Sequence, residues 1–144
     1  RHMSANTRHN GISIMNTSQL NFISQGTRCA GTLQLPSQNR KAPVIIMAQG
    51  FGMIKDAGLP KFAERFVAQG YAVFSFDYRG FGESGGQPRH WVSPKRHLED
   101  WKAALDFVRT LDSIDTQQII KVFTENNFFT KSVSTTAQMW VHGL

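Results

Sequence analysis

Apolar residues along this chain fall into two periods, and each change of period marks a new element. Gln19 to Ile23 and Gly31 to Leu35 alternate apolar with polar positions. Gln25-Gly26-Thr27 lies between them as a turn, which predicts an antiparallel hairpin. After the polar stretch Pro36 to Ala42, the run Val44-Ile45-Ile46-Met47-Ala48 is continuously apolar and rich in β-branched residues, as expected of a strand buried on both faces. Gln49-Gly50-Phe51-Gly52 ends it. Pro60 to Gln69 reads as a helix: Pro60 suits the first turn, Phe62, Ala63, Phe66 and Val67 form an apolar stripe, and Gly70 stops it. Tyr71 to Phe76 is the next buried strand, and a Gly-rich loop runs from Asp77 to Trp91. Ser93 can cap a second helix with Pro94 in its first turn, along which Leu98, Trp101, Ala104, Leu105 and Val108 recur at helical spacing. Asp112 to Gln117 predicts a polar turn, and Ile119-Ile120-Lys121-Val122-Phe123 a strand.

Strands alternating with helices imply right-handed crossovers and a parallel sheet. The fold class is therefore α/β, an N-terminal β-hairpin followed by parallel strands with crossover helices. Residues 1–17 are polar and carry no clear period, and Arg1-His2-Met3 looks like a cloning remnant. Thr124 to Leu144 is rich in Thr, Ser and Asn and is also without a period. The expected organisation is a polar leader over 1–17, a domain over 18–123 and a divergent tail over 124–144.

Composition narrows the partners. With 144 residues, 40% of them hydrophobic, 11 Phe and 3 Trp, the chain can bury one globular core. No apolar run reaches the ~18 residues of a membrane span, so no membrane partner is expected. No signal-peptide core lies near the start, which makes a cytoplasmic location the expectation. The single Cys29 excludes an internal disulfide and a Cys-based metal site, and reads as a small buried apolar residue. No His and carboxylate pair has metal-ligand spacing, so no metal is expected. The net charge is +6 and the pI about 9.9. The densest basic cluster, Arg89, His90, Lys95, Arg96 and His97, surrounds Trp91. Such a cluster suits phosphate neutralisation and base stacking. No nucleic-acid motif accompanies it, so a solvated loop leading into a helix is the expectation and nucleic acid is not an expected partner.

Asp77-Tyr78-Arg79-Gly80-Phe81-Gly82-Glu83-Ser84 after a buried strand resembles the fourth strand and following loop of the α/β-hydrolase superfamily. Val44 to Gly52 is similar to the strand and oxyanion loop of that family, with Gln49 where a His is common. Glu99 to Val108 is similar to the helix before the nucleophile strand in its dienelactone-hydrolase and short-chain esterase-like members. The resemblance covers about residues 19–119, the N-terminal half of such a fold. It implies an oxyanion loop at Gly50, Phe51 and Gly52, with the Phe51 N–H as donor. It also implies a structural loop at Asp77, Arg79, Gly80 and Gly82, in which the glycines allow the turns and Asp77 and Arg79 pair locally. Hydrolysis of an ester or amide through an acyl-enzyme would be the ancestral activity, and it needs no cofactor.

The resemblance then meets a gap. With Ile119 opening the nucleophile strand, the glycines of a Gly-x-Ser-x-Gly elbow fall at Phe123 and Asn127 and the nucleophile at Glu125. None of the three residues fits its part. Gly82-Glu83-Ser84-Gly85-Gly86 satisfies the string, but the elbow needs a strand immediately before the first Gly and a helix immediately after the Ser. Here a loop flanks it on both sides, and Ser84 reads as a loop residue that bonds locally. Beyond Thr124 the only acid is Glu125 and the only His is His142.

The expectation is a truncated α/β-hydrolase-like protein, inactive alone, that self-associates as a homodimer or larger assembly through the open sheet edge at Ile119 to Phe123. Tail residues Phe128, Phe129, Met139, Trp140 and Val141 could cover apolar surface. The alternative is a small serine ester hydrolase that uses Ser84 with His90, His97 or a His from a partner chain.

Overall fold

The computed structural model describes residues 6–7, 15–38, 40–49, 59–125 and 128–133. Nine elements follow in chain order: β1 (Asn6–Thr7), β2 (Met15–Ser24), β3 (Thr27–Leu35), β4 (Ala42–Gln49), α1 (Leu59–Ala68), β5 (Ala72–Asp77), α2 (Pro94–Val108), β6 (Ile114–Glu125) and β7 (Phe128–Val133). They build one sheet in the order β1-β2-β3-β5-β4-β6-β7. The hairpin β2-β3 is antiparallel and lies antiparallel against β5, whereas β4 is parallel to both β5 and β6. This is the α/β architecture that the alternation of strands and helices predicts, and the partial fold that the resemblance to α/β-hydrolases implies.

Strand β4 shows why the order is stable. Its side chains alternate between faces. Val44 and Ile46 join a core with Phe22, Phe74, Phe76, Trp101, Ala104 and Val108 beneath α2, and Ile45 and Met47 join a smaller one with Ala63, Val67, Val73 and Val122 beneath α1. The continuous apolar run is thus a strand covered on both sides. Beneath α2 the rings interlock, with Phe22 and Trp101 both edge-on to Phe76 at 5.5 Å and 5.3 Å between centroids. The smaller core leaves a groove of about 540 Å³ between α1 and β6, lined chiefly by Ile45, Phe66, Tyr71, Ile120 and Val122.

Helix α2 starts as expected: the Ser93 hydroxyl accepts a hydrogen bond from the Arg96 N–H at 3.3 Å and Pro94 occupies the first helical position. Three expectations change. The polar turn at Asp112 to Gln117 lies largely inside β6. Asp115 pairs with Pro43 and the register then jumps, so that Ile119 faces Val44. Pro43 has no N–H to continue the ladder, and the Asp115 carboxylate accepts from the Gln117 N–H at 3.0 Å instead, a local Asx turn within the strand. Strand β2 begins at Met15 and β1 pairs with it, so backbone pairing extends into the polar N-terminal stretch.

The third change concerns the open edge expected at Ile119 to Phe123. Strand β7 pairs antiparallel with β6 from Ile120↔Val133 to Glu125↔Phe128, so that edge is covered and β7 is the outer strand among the described residues. The aromatic and β-branched residues of Phe128-Phe129-Thr130-Lys131-Ser132-Val133 favour extended backbone. A hairpin partner is the nearest group able to satisfy the β6 edge.

Candidate functional site

The loop from Tyr78 to Trp91 leaves the C-terminal end of β5 and folds back across the sheet. Two glycines set its path, since Gly80 and Gly82 have φ of +83° and +51°, a region that side-chain-bearing residues rarely adopt. The loop closes on itself: the Gly80 N–H donates to the Gly85 carbonyl at 2.7 Å and the His90 N–H to the Gly80 carbonyl at 2.8 Å. Arg89 binds it from outside, donating to the carbonyls of Ser84 at 2.6 Å and Gly82 at 2.8 Å.

Ser84 lies under this loop with 3% of its surface exposed. Its hydroxyl donates to the Asp77 carbonyl at 2.6 Å and accepts from the Ala30 N–H at 2.9 Å. A hydroxyl has one proton, and here a main-chain carbonyl holds it. Ser84 therefore ties the end of β5 to β3. Beside it the fully buried Cys29 thiol is pushed up to about 11, mainly by burial and further by the negative charge of Asp100. It remains a neutral thiol near neutral pH, without thiolate reactivity.

Neither histidine is part of that arrangement. The His97 ring stacks on Tyr78 with centroids 3.9 Å apart and stands edge-on to Phe81 at 5.8 Å. Burial lowers its pKa, and the charges of Arg96 and Arg79 add to this against the opposing pull of Asp100. The His90 ring lies 5.6 Å from Phe81, on exposed backbone with φ +61°. The structural-loop residues hold together, with longer-range partners than expected. Arg79 Nε donates to Asp100 Oδ1 at 2.5 Å and Arg79 Nη2 to Glu99 Oε1 at 2.6 Å, both on α2. The Asp77 carboxylate accepts from the Glu83 N–H at 3.0 Å, closing the turn.

The sequence reading missed Asp100, which is fully buried and also accepts from the Ser24 hydroxyl at 2.6 Å. The signal was present. Asp100 shares a helical face with His97, Trp101, Ala104 and Val108, and an acid on an apolar stripe must be paired. Trp101 Nε1 likewise donates to the Tyr78 hydroxyl at 2.9 Å, and burial pushes that phenol up to about 12. Among the described residues no group of three His, Cys, Asp or Glu could hold a metal.

The expected oxyanion residues Gly50, Phe51 and Gly52 lie outside the described residues, as do Met139, Trp140, Val141 and His142. At the far end of β6, where the elbow count places Phe123 and Glu125, both residues belong to the strand and the chain returns as β7.

Residues 38–121 match the family described as serine aminopeptidase, S33. Over 99 residues the chain is 46% identical to the quorum-quenching protein AidA of Acinetobacter baumannii, an alignment covering 69% of this chain and 33% of that protein. It is 37% identical over 103 residues to the thiohydrolase aneE of Aspergillus aculeatus, covering 71% and 32%. The crystal structure of hypothetical protein PA2218 from Pseudomonas aeruginosa superposes with a TM-score of 0.67 at 30% identity, covering 74% of this chain and 34% of that one. The chain thus spans about a third of the length of the curated relatives it matches. Family match, strand order and loop together establish that the chain belongs to the S33 serine-aminopeptidase family of α/β-hydrolases.

Proposed function

We propose that this chain is a hydrolase scaffold that carries no acyl-transfer chemistry by itself and self-associates along the β7 side of its sheet. The observation that carries the first part is the Ser84 hydroxyl. It is buried, and its proton is held by the Asp77 carbonyl rather than by an imidazole. A serine nucleophile needs a base within hydrogen-bond reach to take that proton. The end of β6 supports the same reading, because an antiparallel strand follows where the family mechanism needs a strand-to-helix turn. The hydrolytic activities named for the relatives would need a nucleophile from elsewhere. Support for self-association comes from β7, the outer strand among the described residues, and from the apolar groove between α1 and β6, since strand edges and apolar surface both favour pairing with a second chain.

Treatment with a fluorophosphonate, read by intact mass, tests the chemistry: no adduct is expected on folded protein. A stoichiometric adduct that disappears in Ser84→Ala overturns the proposal in favour of a Ser84 esterase working with His90, His97 or a partner's His. Ser84→Ala is instead expected to lower stability by about 1–3 kcal/mol, because the Ala30 N–H loses its acceptor in a buried site. Light scattering tests the second part, with a dimer or larger species expected. A stable monomer across the accessible concentration range overturns it.

A further inference from the structure

The described residues include four large hydrophobic side chains that stand out into solvent, and three of them fall within eight positions. Trp91 and Val92 are each 51% exposed and Leu98 is 70% exposed. They flank the start of α2, together with exposed Arg89 and Lys95 and the partly exposed Arg96. From Ser84 to Leu98 the sequence contains no acid. The acids that follow on α2 are already engaged, Glu99 by Arg79 at 2.6 Å, the buried Asp100 by Arg79 and Ser24, and Asp106 by Lys102 at 2.9 Å.

The patch is held in place. Arg89 and the His90 N–H lock the incoming loop, Ser93 caps the helix, and the Arg96 guanidinium lies 4.8 Å from the centre of the Trp91 ring. Lys95 and Leu98 are one helical turn apart and share a face. Trp91, Val92, Lys95 and Leu98 thus surround the start of a preformed helix, with the indole held against Arg96.

We propose that this surface docks on an anionic lipid bilayer, with Trp91, Val92 and Leu98 entering the headgroup boundary and Lys95 facing lipid phosphates and carboxylates. Charge complementarity selects an acidic partner. The aliphatic members select lipid over nucleic acid, whose phosphates and sugars give Val92 and Leu98 nothing to bury against. Indole rings favour the interfacial layer, and each basic residue near an anionic surface strengthens attachment. The expectation of no membrane partner rests on the lack of a spanning segment, and no helix among the described residues is long and apolar enough to span. A surface contact needs no span.

The test is flotation of the full chain with vesicles of phosphatidylcholine alone or with about one-third phosphatidylserine, at low and high salt. Binding is expected to the phosphatidylserine vesicles, to weaken with salt, and to fall roughly tenfold or more in Lys95→Glu. Leu98→Ser is expected to weaken it several-fold while leaving the circular dichroism unchanged. Lys41→Glu makes the same change in net charge, but at the opposite end of the parallel strands, roughly 25 Å away along β4. It is expected to bind as the wild type does. Three results would overturn the proposal. The first is a wild type that ignores the anionic vesicles at low salt, and the second a Lys41→Glu variant that loses as much as Lys95→Glu, which would make the attraction a property of net charge. The third is a Leu98→Ser variant that dissociates an oligomer or abolishes binding to single-stranded DNA while vesicles remain unbound, which would assign the patch to protein or nucleic acid.

Discussion

Removing the Asp100 carboxylate should destabilise the fold more than any other single polar change at the loop. Asp100 is fully buried and accepts from the Ser24 hydroxyl at 2.6 Å, the Arg79 N–H at 2.9 Å and Arg79 Nε at 2.5 Å. At this separation the Coulomb attraction of the pair is about 7 kcal/mol for an effective dielectric of about 20. The cost of taking both ions out of water offsets much of that gain, so the pair contributes little net stability compared with apolar side chains of the same shape. Breaking the pair is a different matter. In Asp100→Ala the Arg79 charge stays buried with only the half-buried Glu99 opposite it, and two further donors lose their acceptor. The expected loss is about 3–5 kcal/mol, a large part of the ~5–15 kcal/mol that a domain of this size has in total.

Urea titration followed by circular dichroism measures the loss directly. The double variant Asp100→Leu with Arg79→Met decides the mechanism. If an uncompensated buried charge causes the damage, the double variant should recover most of what Asp100→Leu alone loses. A loss below about 1 kcal/mol in Asp100→Ala would refute the buried-pair account. So would a double variant no more stable than the single one, which would point to volume rather than charge.

Two further outcomes follow from the packing around the same loop. Gly31→Ala should cost about 1–3 kcal/mol in the same titration, because its Cβ would lie 2.5 Å from Phe74 Cζ. Phe74 is wedged by Phe22 and Phe107 and cannot swing aside, so unchanged stability would contradict the observed approach of β3 and β5. His97 should make stability depend on pH. Its native pKa lies below the ordinary 6.5, so the unfolded chain takes up the proton first. The stability that His97 contributes is full above about 6.5 and declines as pH falls through the lowered native value. Comparing unfolding midpoints between pH 7 and 5, His97→Phe should show a shallower decline than the wild type, and equal slopes would count against this account.

Most of the architecture was legible because the sequence states it locally. Val44 to Ala48 has no polar residue to turn outward, so it had to be an interior strand. Ser93-Pro94 is a complete helix start in two residues. The signals that failed are those in which a local pattern competes with a long-range partner. Asp115 and Gln117 do form the polar turn their types suggest, yet Ala42 and Pro43 hold Ile114 and Asp115 in the sheet, which no local pattern could report. Arg79 was expected to pair with Asp77, two residues away. It reaches Glu99 and Asp100, some twenty residues on, because α2 packs directly over the loop. The Ser84 hydroxyl bonds to the Asp77 carbonyl seven positions earlier, and its tie to Ala30, 54 positions earlier, depends on β3 lying beside β5.

The absence of periodicity after Thr124 concealed β7 for a related reason. Alternation marks a strand with one face buried and one wet. A strand rich in aromatic and β-branched residues can extend without alternating when a neighbouring edge offers it a ladder. That ladder matters for the chemistry. A nucleophile elbow requires the chain to leave the end of a parallel strand in a sharp turn and enter a helix, which lifts the serine clear of the sheet. In this chain the backbone at positions 123–125 faces β7 residue for residue. A serine placed at position 125 would sit in an antiparallel pair, without the strained turn that exposes a nucleophile. The departure from the family at the end of β6 is therefore one of backbone path before it is one of residue identity, and restoring a single side chain would not restore the turn.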